Sequence, residues 1–447
     1  MDAIYSVLEG WDADAQFACG ESGAKTVRDL IRDIETMRLH LAGSPDGTEF
    51  MVICQDRYYQ VVGMLAVWQL GKPVTLPASA HSHTLNMAAE SDSLLMVHDT
   101  DIRGGARVQT VLANASFVDG PLKPIPPEQV LVKLCTSGST GTPVVHPKTA
   151  RQLFGEADLH VRWFSLQGGQ ALISTVPTHH IFGLLWGIVV PIRAGIRIER
   201  STPLFATTLA ERVKATRPHV LVTTPVHLEH CSMVGGAELK PLRHVFCSGG
   251  PLTSSVAKRF SEHFQLTVTE VLGSTETGGI AWRLRRGDEP AEPLWQPLPA
   301  VVVGADADGR LLLESPFVST DSERPMRCAD RILPMHDGHF QYLGRSDDIV
   351  KIGGKRFSRF DLEQKIRTIT GVTDVGILVR DSTAARGHVL EAAIVTSGLT
   401  ATDLKKALGD CIDSVAVPRR ITIVSELPRD ATGKLPVASL RQILGHE

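Results

Sequence analysis

The sequence predicts an α/β chain in two parts: a large N-terminal region of several α/β subdomains, residues 1–346, and a small α+β domain, residues 347–447. Three observations carry that prediction. Helical and strand periodicities alternate from the start of the chain, the pattern of sheets covered by helices. Two proline-rich connectors, "DGPLKPIPPEQ" at 119–129 and "GDEPAEPLWQPLP" at 287–299, interrupt the large region and read as exposed. After Gly344 the texture tightens into roughly 100 residues of short strands and two helices, a domain-sized piece.

The elements follow in order. "TVRDLIRDIETMRLHLAG" places Val27, Leu30, Ile31, Ile34, Met37 and Leu41 at helical spacing, with Gly43 as a stop. "EFMVICQD" reads as a buried strand, and "YYQVVGMLAVWQLGKPVTL" as a helix followed by a strand. "LVKLC", 131–135, is a strand; Thr149 with Gln152 three residues on has the capping-box form that starts a helix. The glycine-rich segment between them is expected to be a strand-to-helix loop. "QALISTVP" and "HVLVTTPV" are further strands. The small domain holds "DDIVKIGGKRFS", a helix over 359–369, strands "DVGILVR" and "LEAAIVTS", a helix over 401–412, and "RRITIVSELP".

Bulk properties exclude several classes. With Lys+Arg 46 against Asp+Glu 49, the net charge of −3 gives no electrostatic footprint for nucleic acid. The longest apolar run, 181–192, is too short to span a bilayer and contains Pro191, so no membrane span is expected. The seven cysteines form no C-x-x-C pair, which fits a reducing cytoplasm and a cytoplasmic protein. "HLEHC", 227–231, holds metal-capable residues without a full ligand set.

The chemistry-bearing stretch is "CTSGSTGTPVVHPKT", 135–149. Gly138 and Gly141 let the backbone approach a ligand, and Thr136, Ser137, Ser139, Thr140 and Thr142 supply hydroxyl donors suited to phosphate oxygens. No Gly-Lys-Ser/Thr follows, so it is not a Walker A loop. "VFCSGGP", 245–251, and "VLGSTETGG", 271–279, also put small residues after an apolar strand, where open α/β sheets bind ligands. The latter carries Glu276 beside hydroxyls, a donor type that Mg²⁺ shares with substrate phosphates.

Taken together and in order, "TSGSTGTP", "VPTHHIFG", "GSTET", "CADRI", "GRSDDIVKIGGKRFS" and "LPRDATGKLP" resemble the motifs of the ANL superfamily of adenylate-forming enzymes, which includes acyl-CoA synthetases, peptide-synthetase adenylation domains and beetle luciferases. The resemblance covers nearly the whole chain. It implies that Thr136 to Thr142 wrap the β- and γ-phosphates of ATP, that Thr275 bonds the α-phosphate and that Glu276 holds Mg²⁺. Gly249, Gly250 and Pro251 would line the adenine slot, with Leu272, Gly273 and Ser274 beside it; Asp330 and Arg345 would take the ribose. Lys434 would be the catalytic lysine, His180 would sit near the acid, Asp347 would be the hinge, and Gly354 would leave room for a pantetheine tunnel.

The implied reaction joins a carboxylic acid to AMP with loss of pyrophosphate, then transfers the acyl group to the phosphopantetheine thiol of coenzyme A or an acyl carrier protein. His180 stands where amino-acid-activating domains usually place an Asp, which favours an acid without an α-amino group. "IFGLLWG" and "VHLEHC" are candidate pocket linings for an aryl or medium-chain acyl acid. Val144 replaces the lysine that usually follows the loop, with Lys148 a candidate substitute; Leu272 replaces an aromatic, and Cys328-Ala329 replace Thr-Gly. Val144 and Leu272 motivate one rival reading, a degenerate nucleotide or adenylate sensor; the resemblance leaves a second, a luciferase-like oxygenase that would use the same adenylate with molecular oxygen.

Overall fold

The computed structural model describes residues 4–78, 93–102, 104–114, 121–136, 144–231, 236–289, 292–318, 324–352, 355–381, 388–430, 433 and 435–446. They form two compact units, residues 1–302 with 314–322, and residues 303–313 with 323–447. Each is described by itself.

The first unit is built on two sheets. The larger runs, in spatial order, Gln296–Pro297, Gly278–Arg285, Val268–Ser274, His244–Cys247, Val220–Thr223, Ala171–Ser174, Arg197–Glu199, Gln16–Cys19 and Lys25–Thr26. Its middle strands are parallel and in register, Ser174 with Val222, Thr223 with Cys247 and Cys247 with Glu270, so their C-terminal ends form one edge. Successive residues alternate between two cores, as the strand period requires: Val220, Val222 and Phe246 enter one, Leu221, Val245 and Cys247 the other. The sheet is therefore covered on both faces.

The second sheet runs Ala106–Arg107, Leu94–His98, Glu49–Ile53, Val74–Leu76, Val130–Thr136, Val144–Thr149. Its residues Phe50, Val52, Val74 and Val132 join the same core as Leu172 and Val220 of the first sheet. The helix Arg57–Gln69 runs through that core and is buried nearly all round, Tyr58, Val62, Trp68 and even Arg57 included. The helix Val27–Leu41 forms where its spacing predicts, starts on a Thr26–Asp29 capping box and buries Val27, Leu30, Ile34, Met37 and Leu41.

Three expectations are corrected here. The glycine-rich segment is not a strand-to-helix loop: Val144–Thr149 is a strand antiparallel to Val130–Thr136, and the helix begins only after it, at Ala150. Pro147 fits this strand because it lies at the sheet edge, where a missing N–H is tolerated. The connector at 119–129 is not wholly exposed, because Ile125 bridges Tyr5 and is buried. "IFGLLWG" is mostly core: Leu184, Leu185 and Trp186 are buried, Trp186 against His160 and Phe246.

The second unit holds the sheet Val302–Ala305, Arg310–Glu314, Met326–Pro334, Phe340–Arg345, whose end residues Val302 and Glu314 group with the first unit. The compact division thus differs from a boundary at 346, because these strands hydrogen-bond to one another and, among the described residues, to no strand of the nine-stranded sheet. A hairpin, Ile349–Ile352 with Lys355–Ser358, follows. The remainder is the sheet Val372–Asp381, His388–Thr396, Arg420–Val424 with helices Arg359–Arg367 and Ala401–Cys411 packed on Ile377 and Ala392, and the C-terminal helix on Leu378 and Ala393.

Candidate active site

In the first unit the sequence-predicted residues gather on turns that leave one edge of the nine-stranded sheet. Ser248 begins one of them: its hydroxyl donates to Val271 O at 2.8 Å, and at the far end Leu252 N donates to the buried Glu270 carboxylate at 3.1 Å. Gly249 lies between these anchors with φ +91°, a conformation that only glycine adopts without strain, and a Cβ on Gly250 would meet open space. Small residues therefore keep this turn thin where a planar ring could lie against it.

The neighbouring turn joins Val268–Ser274 to Gly278–Arg285 as an antiparallel hairpin, with a bulge between Leu272 and Gly273. A Cβ on Gly273 would press to 2.5 Å from Gly278 O, so the close strand approach requires glycine there. Ser274 and Thr277 brace the turn, hydroxyl to hydroxyl at 2.9 Å, with Ser274 N donating to Thr277 Oγ1. Thr275 and Glu276 are left at its tip. Among the described residues the Glu276 carboxylate has no hydrogen-bond or ion-pair partner, and a free carboxylate beside hydroxyls is a hard oxygen donor set that fits Mg²⁺ shared with phosphate.

Lys148 does not stand in for the absent loop lysine. It is 3% exposed, and its ammonium donates to Glu276 O at 3.0 Å and Phe317 O at 2.9 Å, so its hydrogens are committed to backbone carbonyls. Burial pushes its pKa down to about 8, against the opposing pull of Glu156 and Glu276. Thr136 ends the strand before the glycine-rich segment, directly opposite Val144, and its hydroxyl meets His146 Nε2 at 3.2 Å. Ser137, Gly138, Ser139, Thr140, Gly141 and Thr142 lie outside the described residues.

His180 caps the helix Ile181–Leu184 from an extended conformation, its ring 4.2 Å from that of His179. A Cβ on Gly183 would collide with the carbonyl oxygen of Pro177, which explains why glycine closes this motif. The sequence placed His227 only within a metal-capable stretch and a candidate pocket lining; in the structure the Thr175 and Thr224 hydroxyls contact its Nδ1 at 3.2 and 3.0 Å, and Thr175 meets Thr223 at 2.9 Å. Burial, then His230, lowers its pKa to about 4, so the ring is neutral. The threonines that end "QALISTVP" and "HVLVTTPV" were the available signal, since hydroxyls at strand ends on a binding edge need partners. Cys231 of the same helix is buried, which raises its thiol to about 12.

In the second unit Asp330 and Arg345 lie opposite one another in paired strands, Nη1 4.0 Å from Oδ2, and Tyr342 donates its hydroxyl to Asp330 Oδ1 at 2.8 Å. The expected pair is present; Tyr342, two residues before the motif that opens at Gly344, was not singled out from the sequence. The turn Ser346–Asp348 carries Asp347, whose side chain lies outside the described set. Its neighbour Asp348 is tied down by Ser358 Oγ at 3.1 Å and Arg359 Nε at 2.9 Å. Gly354 and Lys434 also lie outside the described residues, but both flanks of Lys434 are placed. Gly433 O accepts from Arg429 at 2.9 Å, Arg429 forks onto Asp374 at 2.7 and 2.8 Å, and Leu435 packs beside Gly376.

Comparison with known proteins bears on the family and the fold. The model of the AMP-binding enzyme family matches residues 36–304, and that of the AMP-binding enzyme C-terminal domain matches residues 361–434. The 4-coumarate–CoA ligase of Cereibacter sphaeroides is 27% identical over 302 residues, covering 67% of this chain and 69% of that protein. The benzoate–CoA ligase of Thauera aromatica is 25% identical over 360 residues, covering 71% and 67%. The fold resembles that of the O-succinylbenzoate coenzyme A synthetase of Bacillus subtilis, solved with ATP and magnesium ion, with TM-score 0.82 over 94% of this chain and 95% of that one at 16% identity. Fold and motif order thus define an adenylate-forming enzyme. The chain belongs to the AMP-binding enzyme family, within the ANL superfamily. No described helix is long and apolar enough to cross a membrane.

Proposed function

We propose that the protein activates a carboxylic acid with ATP, forming an acyl adenylate and releasing pyrophosphate, and then transfers the acyl group to the phosphopantetheine thiol of coenzyme A or of an acyl carrier protein. AMP and a proton leave in the second step. The observation that carries this reading is the Glu276 turn: a carboxylate without a hydrogen-bond or ion-pair partner among the described residues, at the tip of a braced hairpin at the C-terminal end of the parallel strands, in a chain of the AMP-binding family. The aryl-acid relatives support an aryl substrate, with a medium-chain acyl acid as the neighbouring choice, and His180 supports an acid without an ammonium group.

The roles follow from the chemistry. A carboxylate is a poor acyl donor because oxide is a bad leaving group, so its oxygen attacks the α-phosphorus and the P–O bond to pyrophosphate breaks. The protein's share is positioning and charge neutralisation. Thr136, Ser137, Gly138, Ser139, Thr140, Gly141 and Thr142 hold the β- and γ-phosphates, and Thr275 the α-phosphate. Mg²⁺, held by Glu276, neutralises phosphate charge. Gly249, Gly250, Pro251, Leu272, Gly273 and Ser274 border the adenine, and Asp330 with Arg345 takes the ribose hydroxyls. Lys434 bridges the acid carboxylate and the α-phosphate, and His180 borders the acid. Residues 1–346 and 347–447 act as the functional domains, Asp347 is the hinge between half-reactions, and Gly354 leaves the thiol a path. Described cysteines such as Cys19, Cys54 and Cys247 are free thiols, which supports a reducing cytoplasm.

The test is product analysis. Incubation with ATP, Mg²⁺, benzoate-type, cinnamate-type and medium-chain acids, and either coenzyme A or a holo carrier protein, is expected to yield AMP and one thioester. Formation of AMP and an oxidised acid without a thioester would overturn the transfer step.

A further inference from the structure

We infer that Lys148 is a positioning residue for Glu276: it clamps the backbone of the turn so that the carboxylate is presented ready to the metal. The inference rests on the reading of Glu276 as the Mg²⁺ ligand. The turn is gripped at two points by one strand-helix segment. From one side the buried Lys148 ammonium donates to the carbonyl of Glu276 itself, at 3.0 Å; from the other, Glu156 Oε1 accepts from Gly279 N at 2.6 Å. The glycines fit this grip, for a Cβ on Gly278 would lie 2.5 Å from Glu156 Oε2 and one on Gly279 2.9 Å from Oε1.

The same segment also holds the turn at 317–318, Lys148 through Phe317 O at 2.9 Å and Gln152 through Val318 O at 2.8 Å. Burying an ammonium is costly unless it is hydrogen-bonded and compensated. Here two carbonyls take its hydrogens, and the Glu156 and Glu276 carboxylates favour its charge. Two of these contacts, from Lys148 and Glu156, fall on the backbone at Glu276 and Gly279, while the Glu276 carboxylate has no hydrogen-bond or ion-pair partner among the described residues. A turn ordered during folding spares the metal–nucleotide complex the cost of ordering it on binding.

The test uses the full chain as wild type, Lys148→Met, Lys148→Arg, Glu156→Gln and Glu276→Ala. Binding of Mn²⁺ with a non-hydrolysable ATP analogue is read by paramagnetic resonance, Mg²⁺ saturation and kcat by pyrophosphate exchange, and amide exchange over 274–279 in the ligand-free protein. Lys148→Met is expected to weaken Mn²⁺–nucleotide binding and raise half-saturating Mg²⁺ about tenfold, with kcat at saturating metal within about twofold and faster exchange in the turn. Lys148→Arg should recover part of the loss. If Lys148→Met does not fold, Glu156→Gln, which keeps its shape, should shift the same constants in the same direction. A folded Lys148→Met protein that loses only thermal stability, with metal binding unchanged, overturns the inference. If Glu276→Ala also leaves metal binding unchanged, the metal reading of Glu276 falls; if Glu276→Ala weakens it and Lys148→Met does not, only the positioning role falls.

Discussion

Arg429 donates from Nη1 to the carbonyl of Gly433 at 2.9 Å while its other nitrogens fork onto Asp374, so the residue before Lys434 is tethered to the sheet of the C-terminal unit. A bidentate guanidinium–carboxylate pair fixes direction as well as distance. Replacing Arg429 by Ala frees this end of the lysine loop and leaves Asp374 without its fork. The expected result is a loss of about tenfold in adenylate formation from misplacement of Lys434, with thiol transfer from preformed adenylate little changed. Single-turnover measurement of each half-reaction checks it.

Asp330 is held by Tyr342 and faces Arg345 across the ladder. Asp330→Ala should raise the KM for ATP by about tenfold or more, the scale of a lost charge-assisted contact. Tyr342→Phe removes only the hydrogen bond that orients the carboxylate and should cost a few-fold at most. Initial-rate kinetics at varied ATP separate the two.

Gly183 has no room for a side chain against Pro177 O. Gly183→Ala must displace the loop that carries His180, at a cost of about 1–3 kcal/mol for an overpacked site. Thermal melting should show the loss, and activity should fall more for the acid's KM than for that of ATP.

His227 supplies a pH dependence. Its folded pKa of about 4 lies below the ordinary histidine value, so the unfolded chain binds a proton that the folded chain refuses. Its contribution to stability is whole above pH 6.5 and is lost as the pH falls toward 4, with about 2 kcal/mol gone by pH 5. Melting temperatures of wild type and His227→Gln between pH 7.5 and 5 test this: the wild type should fall more steeply, and parallel curves would contradict the assignment.

Much of this was legible in the sequence because the patterns are local. The helix Val27–Leu41 was set by its own spacing, and the strand ends by apolar runs stopping at small residues. What escaped depends on partners distant in sequence. The Thr149–Gln152 capping box marked the helix start but not the strand Val144–Thr149 ahead of it, whose partner is Val130–Thr136. Lys148 looked like a phosphate ligand until Phe317 and Glu276 appeared around it, and Trp186 looked like pocket lining until His160 and Phe246 closed on it. Tyr342 belonged to no motif, yet it meets Asp330 across a β-ladder.

The central claim is that this chain makes an acyl adenylate, and carboxylic-acid-dependent exchange of labelled pyrophosphate into ATP measures that step alone. With Mg²⁺ and a panel of aryl, cinnamate-type, short, medium and long acyl acids and amino acids, exchange is expected with an aryl or medium-chain acid and not with amino acids. Folded protein that binds ATP but exchanges with no acid would contradict the account.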